Sequence, residues 1–369
     1  MTQITAVRCA LPPYRHRQAE LTSKFAELNA VEPGRRTLLE RLHANAGVDT
    51  RHTVLPLAEY GRLDGIGPTN DLYIERATAL GEQAIRSALL AGGLDASDLD
   101  MLIVTSVTGV AVPSLDARLI PRLGLRLDIK RMPIFGLGCV AGAAGLARLH
   151  DYLLAWPRHA AALLAVELCS LAVPITKATT ADLVVSGLFG DGAAALTARG
   201  QQAAASRGTA ASRGTAASRG TAASRGPRVI ATHSEVYPGT ADVLAWRQTS
   251  DGFRIVLTAD LADVVAQHLG AGVSSFLGQH GLTVGEIRSW VCHPGGPRVI
   301  DAVQESLGLP DSALEITRRS LAAAGNMSSV SVLHVLQETI DTRRPPSGSA
   351  GLLIGLGPGV SAELVLLRW

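Results

Sequence analysis

Aromatic residues are scarce in this chain of 369 residues: Phe, Trp and Tyr make up 4%, against a hydrophobic fraction of 47%. A core without aromatic bulk is filled by Ala, Val, Leu and Ile, the composition of large buried sheets flanked by Ala-rich helices. Cysteine is sparse as well. Cys9, Cys139, Cys169 and Cys292 lie far apart with no C-x-x-C pair, which argues against a disulfide framework or a zinc site and fits a reducing cytoplasm. No sign of charge dominates, since 34 Lys and Arg against 32 Asp and Glu leave a net +2. A global pull toward nucleic acid is therefore not expected. Long apolar runs are also missing. The nearest, GLLIGLGPGVSAELVLLRW, is broken by Gly357, Pro358, Gly359 and Glu363 and reads as two buried strands and a turn, so no membrane span is expected. The N-terminal stretch MTQITAVRCALPPYRHRQ lacks the apolar centre of a signal peptide. No His, Asp or Glu cluster has metal-ligand spacing and no Gly-rich phosphate fingerprint occurs, so neither a metal nor a cofactor is expected.

What the chain does have is a repeat in two senses. ASRGTA occurs three times in tandem from Ala205, followed by ASRG up to Gly226. The segment has no apolar face and reads as a basic surface loop. Its four arginines admit an RNA-binding reading, and an expansion in a tolerant loop is the simpler one. The loop divides the chain into residues 1–204, residues 205–226 and residues 227–369, which suits two domains or one fused double domain. The outer parts resemble each other. Asp71–Gly92 has apolar residues at helical spacing and leads into GLDASDLDMLIVT; Asp260–Gln279 has the same character and leads into GLTVGEIRSWVCH. In that alignment Thr105 falls opposite His293. Gly138-Cys139 and Gly325-Asn326 each open a helical run, and each half ends on a hydrophobe-Gly-x-Gly turn, Phe189–Gly192 and Leu356–Gly359. These matches predict two copies of one βα unit about a pseudo-twofold. The fold expected is layered α/β, helices enclosing two mixed sheets, with sites at the carboxyl ends of strands.

Three residues fall at such ends. Cys139 follows a short strand and Gly-Leu-Gly and begins a helix, a turn that holds a nucleophile up beside the partial positive charge of a helix N-terminus. A buried structural cysteine fits the local sequence equally. His293 ends strand SWVC and precedes Pro294-Gly295-Gly296-Pro297, a turn that exposes backbone N–H groups; it reads as a site residue or as a hydrogen-bonded loop histidine. Asn326 reads as a helix N-cap or as an amide donor facing the cavity that Cys139 faces. Cys292, Cys169 and Cys9 read as structural, and His334 as packed or solvated.

The segments GLGCVAGAAGL, LFGDGAAAL, WVCHPGGPRVIDAVQESLGL, GNMSSVSVLHVL and GLGPGVSAELVLL, in that order, closely resemble those of the type III polyketide synthases, the chalcone and stilbene synthase-like enzymes of the thiolase fold. The resemblance runs end to end except for the ASRGTA insertion. It implies an αβαβα thiolase-like fold with two pseudo-twofold halves, each built on a sheet of the five-stranded type. It also implies an acyltransferase that carries a starter acyl group as a Cys139 thioester and extends it with malonyl-CoA by decarboxylative condensation. His293 would pair with Cys139 as imidazolium, and His293 with Asn326 would hold the malonyl thioester carbonyl. Phe189 would be the gatekeeper, with Val112, Trp246 and Ile255 shaping the pocket. Arg41 would meet CoA phosphates, and Gly295 and Gly296 would let pantetheine approach. The position of Val112 implies a homodimer. The stretch HSEVYPGTADVLAWRQTSDGFRIVLTADL is similar to bacterial members making alkylpyrones and alkylresorcinols, so a fatty acyl starter is expected. A small malonate-derived polyphenol synthase and a single-condensation ketoacyl-ACP synthase III-like enzyme are the alternatives, with an RNA-associated protein the non-enzymatic one.

Overall fold

Runs such as MLIV, AAALLAV and GLLIGL, apolar at every position, have no face to turn to water and become strands covered on both sides. The computed structural model describes residues 1–63, 65–172, 178–203, 226–249 and 252–369; apart from Gly226, the ASRGTA repeat lies outside the described residues. The strands are β1 (Thr2–Ala10), β2 (Tyr14–Arg17), β3 (Thr50–Thr53), β4 (Leu99–Thr105), β5 (Lys130–Ile134), β6 (Ala160–Leu168), β7 (Asp191–Gly200), β8 (Arg228–Val236), β9 (Leu244–Thr249), β10 (Gly252–Leu257), β11 (Ile287–Cys292), β12 (Ala350–Gly357) and β13 (Ser361–Arg368). The helices are α1 (Gln18–Leu28), α2 (Pro33–Ala44), α3 (Ile66–Gly92), α4 (Leu115–Leu123), α5 (Ala141–Ala155), α6 (Cys169–Ala172), α7 (Thr180–Leu188), α8 (Leu261–Gln279), α9 (Pro297–Ser306), α10 (Glu315–Ala324) and α11 (Ser329–Thr342).

Nine strands form one sheet in the order β11-β12-β13-β8-β1-β7-β6-β4-β5. Its middle is thin: β1 meets β8 through only Thr2↔Val229 and Gln3↔Arg228. About that seam the order is palindromic. β4-β6-β7-β1 on one side answers β11-β12-β13-β8 on the other, with a parallel first pair and antiparallel pairs after it in both. Two sheets of the five-stranded type were expected. The first half has five strands, the second has four, and the seam joins them. β5 lacks a partner in the second half because that stretch of chain is α10 and a preceding 3-10 turn, Asp311–Leu314.

Three apolar clusters give the layers. Ala77, Ala84 and Leu119 of α3 and α4 cover one face of the first half-sheet. Val265, Leu269 and Ile300 of α8 and α9 cover one face of the second. Between the half-sheets, Leu146 and Leu149 of α5 pack with Val330 and Leu333 of α11. This central pair touches closely: a Cβ added at Gly142 would stand 2.1 Å from the Ser329 carbonyl oxygen. The N-termini of both central helices thus lie side by side, one from each half. The helix starts, Ala141 and Ser329, set Met327 opposite Cys139 in the repeat, one residue beyond the Asn326 that the sequence alignment pairs with it.

Candidate active site

Cys139 stands on a 3-10 turn, Gly138–Val140, that leads directly into α5. Gly138 has φ +55°, a left-handed conformation open to glycine at little cost, and this sharp entry sets the thiol at the N-terminus of a central helix. The end of β12 lies against the same turn, since a Cβ on Gly357 would meet Val140 N at 2.7 Å and Leu137 O at 2.9 Å. β11 is the parallel neighbour of β12. His293 leaves its carboxyl end with its backbone N–H donating to Ile354 O at 2.9 Å, so it emerges next to the Cys139 turn.

Asn326 arrives from the other side. After α10 the chain forms a short parallel bridge with Phe189: Asn326 N–H donates to Leu188 O at 2.8 Å, and Gly190 N–H donates to Asn326 O at 3.0 Å. Its side-chain Oδ1 accepts from Ser328 N–H at 2.8 Å and from the Ser331 hydroxyl at 3.5 Å. Both donors meet the oxygen, which leaves the amide nitrogen to donate elsewhere. Asn326 and Ser328 both lie close enough to the Cys139 thiol to favour its charged form. Asn326 is therefore not the N-cap of α11; Ser328 holds that position, with φ +50°. A buried serine in that region stores backbone strain of about 1–3 kcal/mol, held here by the packing of the two central helices.

Burial governs the protonation of both groups. It pushes the Cys139 thiol up to about 12, with Ser328 and Asn326 working against it and the charge of Glu167 adding to it. It pushes the His293 imidazole down to about 3. Nδ1 of His293 has no hydrogen-bond partner among the described residues. Burial thus opposes the thiolate–imidazolium pair that the resemblance implies, and favours a neutral thiol and a neutral imidazole.

Phe189 follows α7 and borders two cavities. One, lined also by Leu21, Phe25, Leu57 and Arg51, opens outward. The other lies among α6, α7 and Trp246 and Ile255, which face each other across the β9–β10 hairpin. Its volume is about 10 Å³, room for no more than one water. Gly295 donates its N–H to His293 O at 3.0 Å, and Gly296, at φ +137°, begins α9 against Leu188. Arg41 is exposed on α2, whose exit loop at Gly47 packs on Pro297. Val112 is 89% exposed, away from the cavity of its own chain.

Three side chains at the site escaped the sequence reading. Ser328 gave no signal. Glu167 gave one, a lone carboxylate in the apolar strand AAALLAVEL. It is fully buried, accepts from Val107 N–H, Thr108 N–H and the Thr108 and Ser329 hydroxyls at 2.6–3.2 Å, and burial raises it to about 6 despite them. Buried Arg51 donates through Nη1 to Phe189 O at 2.6 Å and fixes the corner carrying Phe189 and Asn326. Cys169 was read as structural; it is buried and lines the inner cavity. Among the described residues, no group of three or more His, Cys, Asp or Glu could hold a metal ion, and no helix is long and apolar enough to cross a membrane.

Comparison with known proteins matches this arrangement. Residues 1–200 match the N-terminal domain of chalcone and stilbene synthases, and residues 228–369 match their C-terminal domain. A 1,3,6,8-tetrahydroxynaphthalene synthase of Streptomyces peucetius subsp. caesius is 50% identical over 369 residues, covering 100% of this chain and 93% of that protein. A putative chalcone synthase of Bacillus subtilis is 30% identical over 377 residues, covering 100% and 99%. The crystal structure of 1,3,6,8-tetrahydroxynaphthalene synthase from Streptomyces coelicolor A3(2), a bacterial type III polyketide synthase, superposes with a TM-score of 0.89 at 30% identity, covering 100% of this chain and 99% of that one. With both domains matched and the Cys139 turn, His293 and Asn326 set at the junction of two βα halves, the chain belongs to the chalcone and stilbene synthase family, acyltransferases of the type III polyketide synthase class with a thiolase-like fold.

Proposed function

We propose that Cys139, His293 and Asn326 carry out iterative condensation of malonyl-CoA into a small polyhydroxylated aromatic product. The observation that carries the roles is the placement of Cys139 on a buried turn at the N-terminus of α5, against the end of β12, with Asn326 and Ser328 close enough to favour its thiolate. As a starter thioester arrives, the Cys139 proton passes to His293 and the sulfur attacks the carbonyl carbon. CoA departs as its thiol, taking up that proton. Malonyl-CoA then binds with its thioester oxygen between His293 and the Asn326 amide. Loss of CO2 leaves an electron pair on C2, delocalised as an enolate onto the held oxygen. The enolate attacks the acyl carbon on Cys139, the C–S bond breaks, and a β-ketoacyl-CoA two carbons longer results. Phe189 separates the entry from the cavity where the chain grows, Arg41 meets the CoA phosphates, and Gly295 and Gly296 admit the pantetheine arm.

A malonyl-derived starter takes the place of the fatty acyl starter expected from the sequence. One fact supports this: the 50% identical relative is a tetrahydroxynaphthalene synthase. We assign the enzyme to the cytoplasm as a homodimer; four free cysteines and the exposed Val112 support these. The test is incubation with malonyl-CoA alone and with acyl-CoA starters, read by mass spectrometry. Cys139→Ala should form no acyl-enzyme and no extended product. Asn326→Ala should lower malonyl-CoA decarboxylation by about 10²–10³, the worth of one oxyanion donor. Chain extension at the native rate by Cys139→Ala would sink the reading, and dependence on acyl carrier protein with a single condensation would favour the ketoacyl synthase alternative.

A further inference from the structure

The inner cavity owes one wall to a hairpin that joins no other sheet. β9 and β10 pair with each other and with no other described strand, and a lone two-stranded hairpin is marginal in water. Its base is tied by Gly359 N–H to Leu244 O at 2.8 Å and Thr258 N–H to Val243 O at 3.0 Å. Its body is tied through Arg254, whose Nη1 donates to Asp182 Oδ2 at 2.9 Å. Asp182 is buried and Arg254 is 20% exposed, so water and salt screen this pair far less than a surface bridge. Removing the guanidinium leaves a buried carboxylate without its cation.

Two further contacts sharpen the role of this pair. Arg254 stands directly across the hairpin from Arg247, a like-charge juxtaposition that disfavours pairing. Each is offset by a carboxylate: Asp242 at 3.2 Å for Arg247, and Asp182 for Arg254. The same Asp182 oxygen caps α7, accepting the Thr179 N–H and hydroxyl at 2.8 Å each. α7 runs from that cap to Phe189, which bridges Asn326. One carboxylate oxygen therefore ties the wall carrying Trp246 and Ile255 to the helix whose far end borders the reacting sulfur.

We propose that the Arg254–Asp182 pair is a latch that fixes the gap between the hairpin and α7 and so sets the acyl length the enzyme accepts. The inference rests on the reading that the growing chain enters this cavity. A cavity of about 10 Å³ has to widen for any chain to grow in it, and one of its walls is the hairpin, whose strands pair with no other described strand. Displacing it means drawing Arg254 from Asp182, and each added methylene requires more displacement. Arg254 is thus a positioning residue that acts through Trp246 and Ile255.

The experiment uses the full chain with Arg254→Met, which keeps the aliphatic stem, and Arg254→Lys, which keeps the charge. Acyl-CoA starters from about two to twelve carbons are supplied with malonyl-CoA, products are read by mass spectrometry, and malonyl-CoA decarboxylation is followed separately. Arg254→Met should raise kcat/KM for starters of about eight carbons or more, relative to acetyl-CoA, by at least about tenfold, within the range a pocket's fit to added methylenes controls. Decarboxylation should stay within about twofold, and Arg254→Lys should return the length ratio toward wild type. An unchanged profile in Arg254→Met, or a parallel fall at every length, overturns the latch. Absence of malonyl-CoA decarboxylation in the wild-type protein would instead remove the condensation reading itself.

Discussion

His43 lies beneath the helix that carries Phe189, and its imidazole is saturated with hydrogen bonds. Nε2 lies 3.2 Å from Leu183 O and 3.0 Å from Ser186 Oγ, and Nδ1 lies 2.8 Å from the Thr22 hydroxyl, which donates to Gln18 O. Burial, aided by the charge of Arg51, lowers the His43 pKa to about 4. The unfolded chain takes up the proton near 6.5 and the folded chain only near 4, so the stability His43 supplies is complete above about 6.5 and is lost as pH falls from there to 4. The loss is on the order of 3 kcal/mol. Urea unfolding at several pH values should show the wild type weakening through that window, with His43→Gln weakening less there although it is less stable at pH 7. The difference between the two proteins isolates His43 from Glu167 and Asp191, which burial raises to about 6 and which act in the opposite direction. Parallel curves would refute the argument. At this scale the sequence was legible where a backbone device marks the residue: Cys139 and His293 stand beside glycine turns. It was illegible where function depends on reach. Ser328 meets the sulfur only because its φ is +50°, and Arg51 serves a carbonyl far along the chain, that of Phe189.

Hydrophobic pattern fixed most of the elements, because strands buried on both faces and helices with an apolar stripe leave their period in the sequence. The paired segments GLDASDLDMLIVT and GLTVGEIRSWVCH became matching 3-10 turns and strands, each turn closed by a capping box. The seam between β1 and β8 left no trace, since two residue pairs are too few to shape a pattern. The loops that follow β4 and β5 present a surface of another kind. Val110 and Val112 on the first and Phe135 and Leu137 on the second are 39–89% exposed, and Leu137 is two residues from Cys139. Exposed apolar side chains gathered on one face are the surface that the proposed homodimer would cover. Val112→Asp places a charge there. Light scattering across a concentration series should show dissociation to single chains at protein concentrations at least about tenfold higher than for wild type. An unaltered mass would count against this face.

At the scale of the molecule, the two halves are joined by the packing of the central helices, by the β1–β8 seam and by the stretch that contains the ASRGTA repeat. β7 ends at Gly200 opposite Thr2, and β8 begins at Arg228 opposite Gln3. Their ends flank the same strand and are therefore two strand spacings apart, about 10 Å. At about 3.3 Å per residue, roughly four residues cross that gap, far fewer than the chain supplies. Ile4 N–H donates to Pro227 O at 3.1 Å and Gln202 N–H to Pro157 O at 2.8 Å, so the chain on either side of the repeat is anchored by contacts of its own. Removing residues 205–222 takes out the three hexapeptides and shortens the connection about threefold, lowering its closure entropy by about 1 kcal/mol. The deletion should leave turnover within about twofold of wild type and stability equal or higher by up to that amount, read by product formation and by urea midpoint. Cys139, with its turn on α5, and His293 and Asn326, with theirs beside α9 and α11, would still meet, because the central helices and the nine-stranded sheet hold the halves together. Loss of turnover with the fold intact would give the repeat a part in catalysis; loss of RNA binding with turnover retained would support the RNA-associated reading of its arginines.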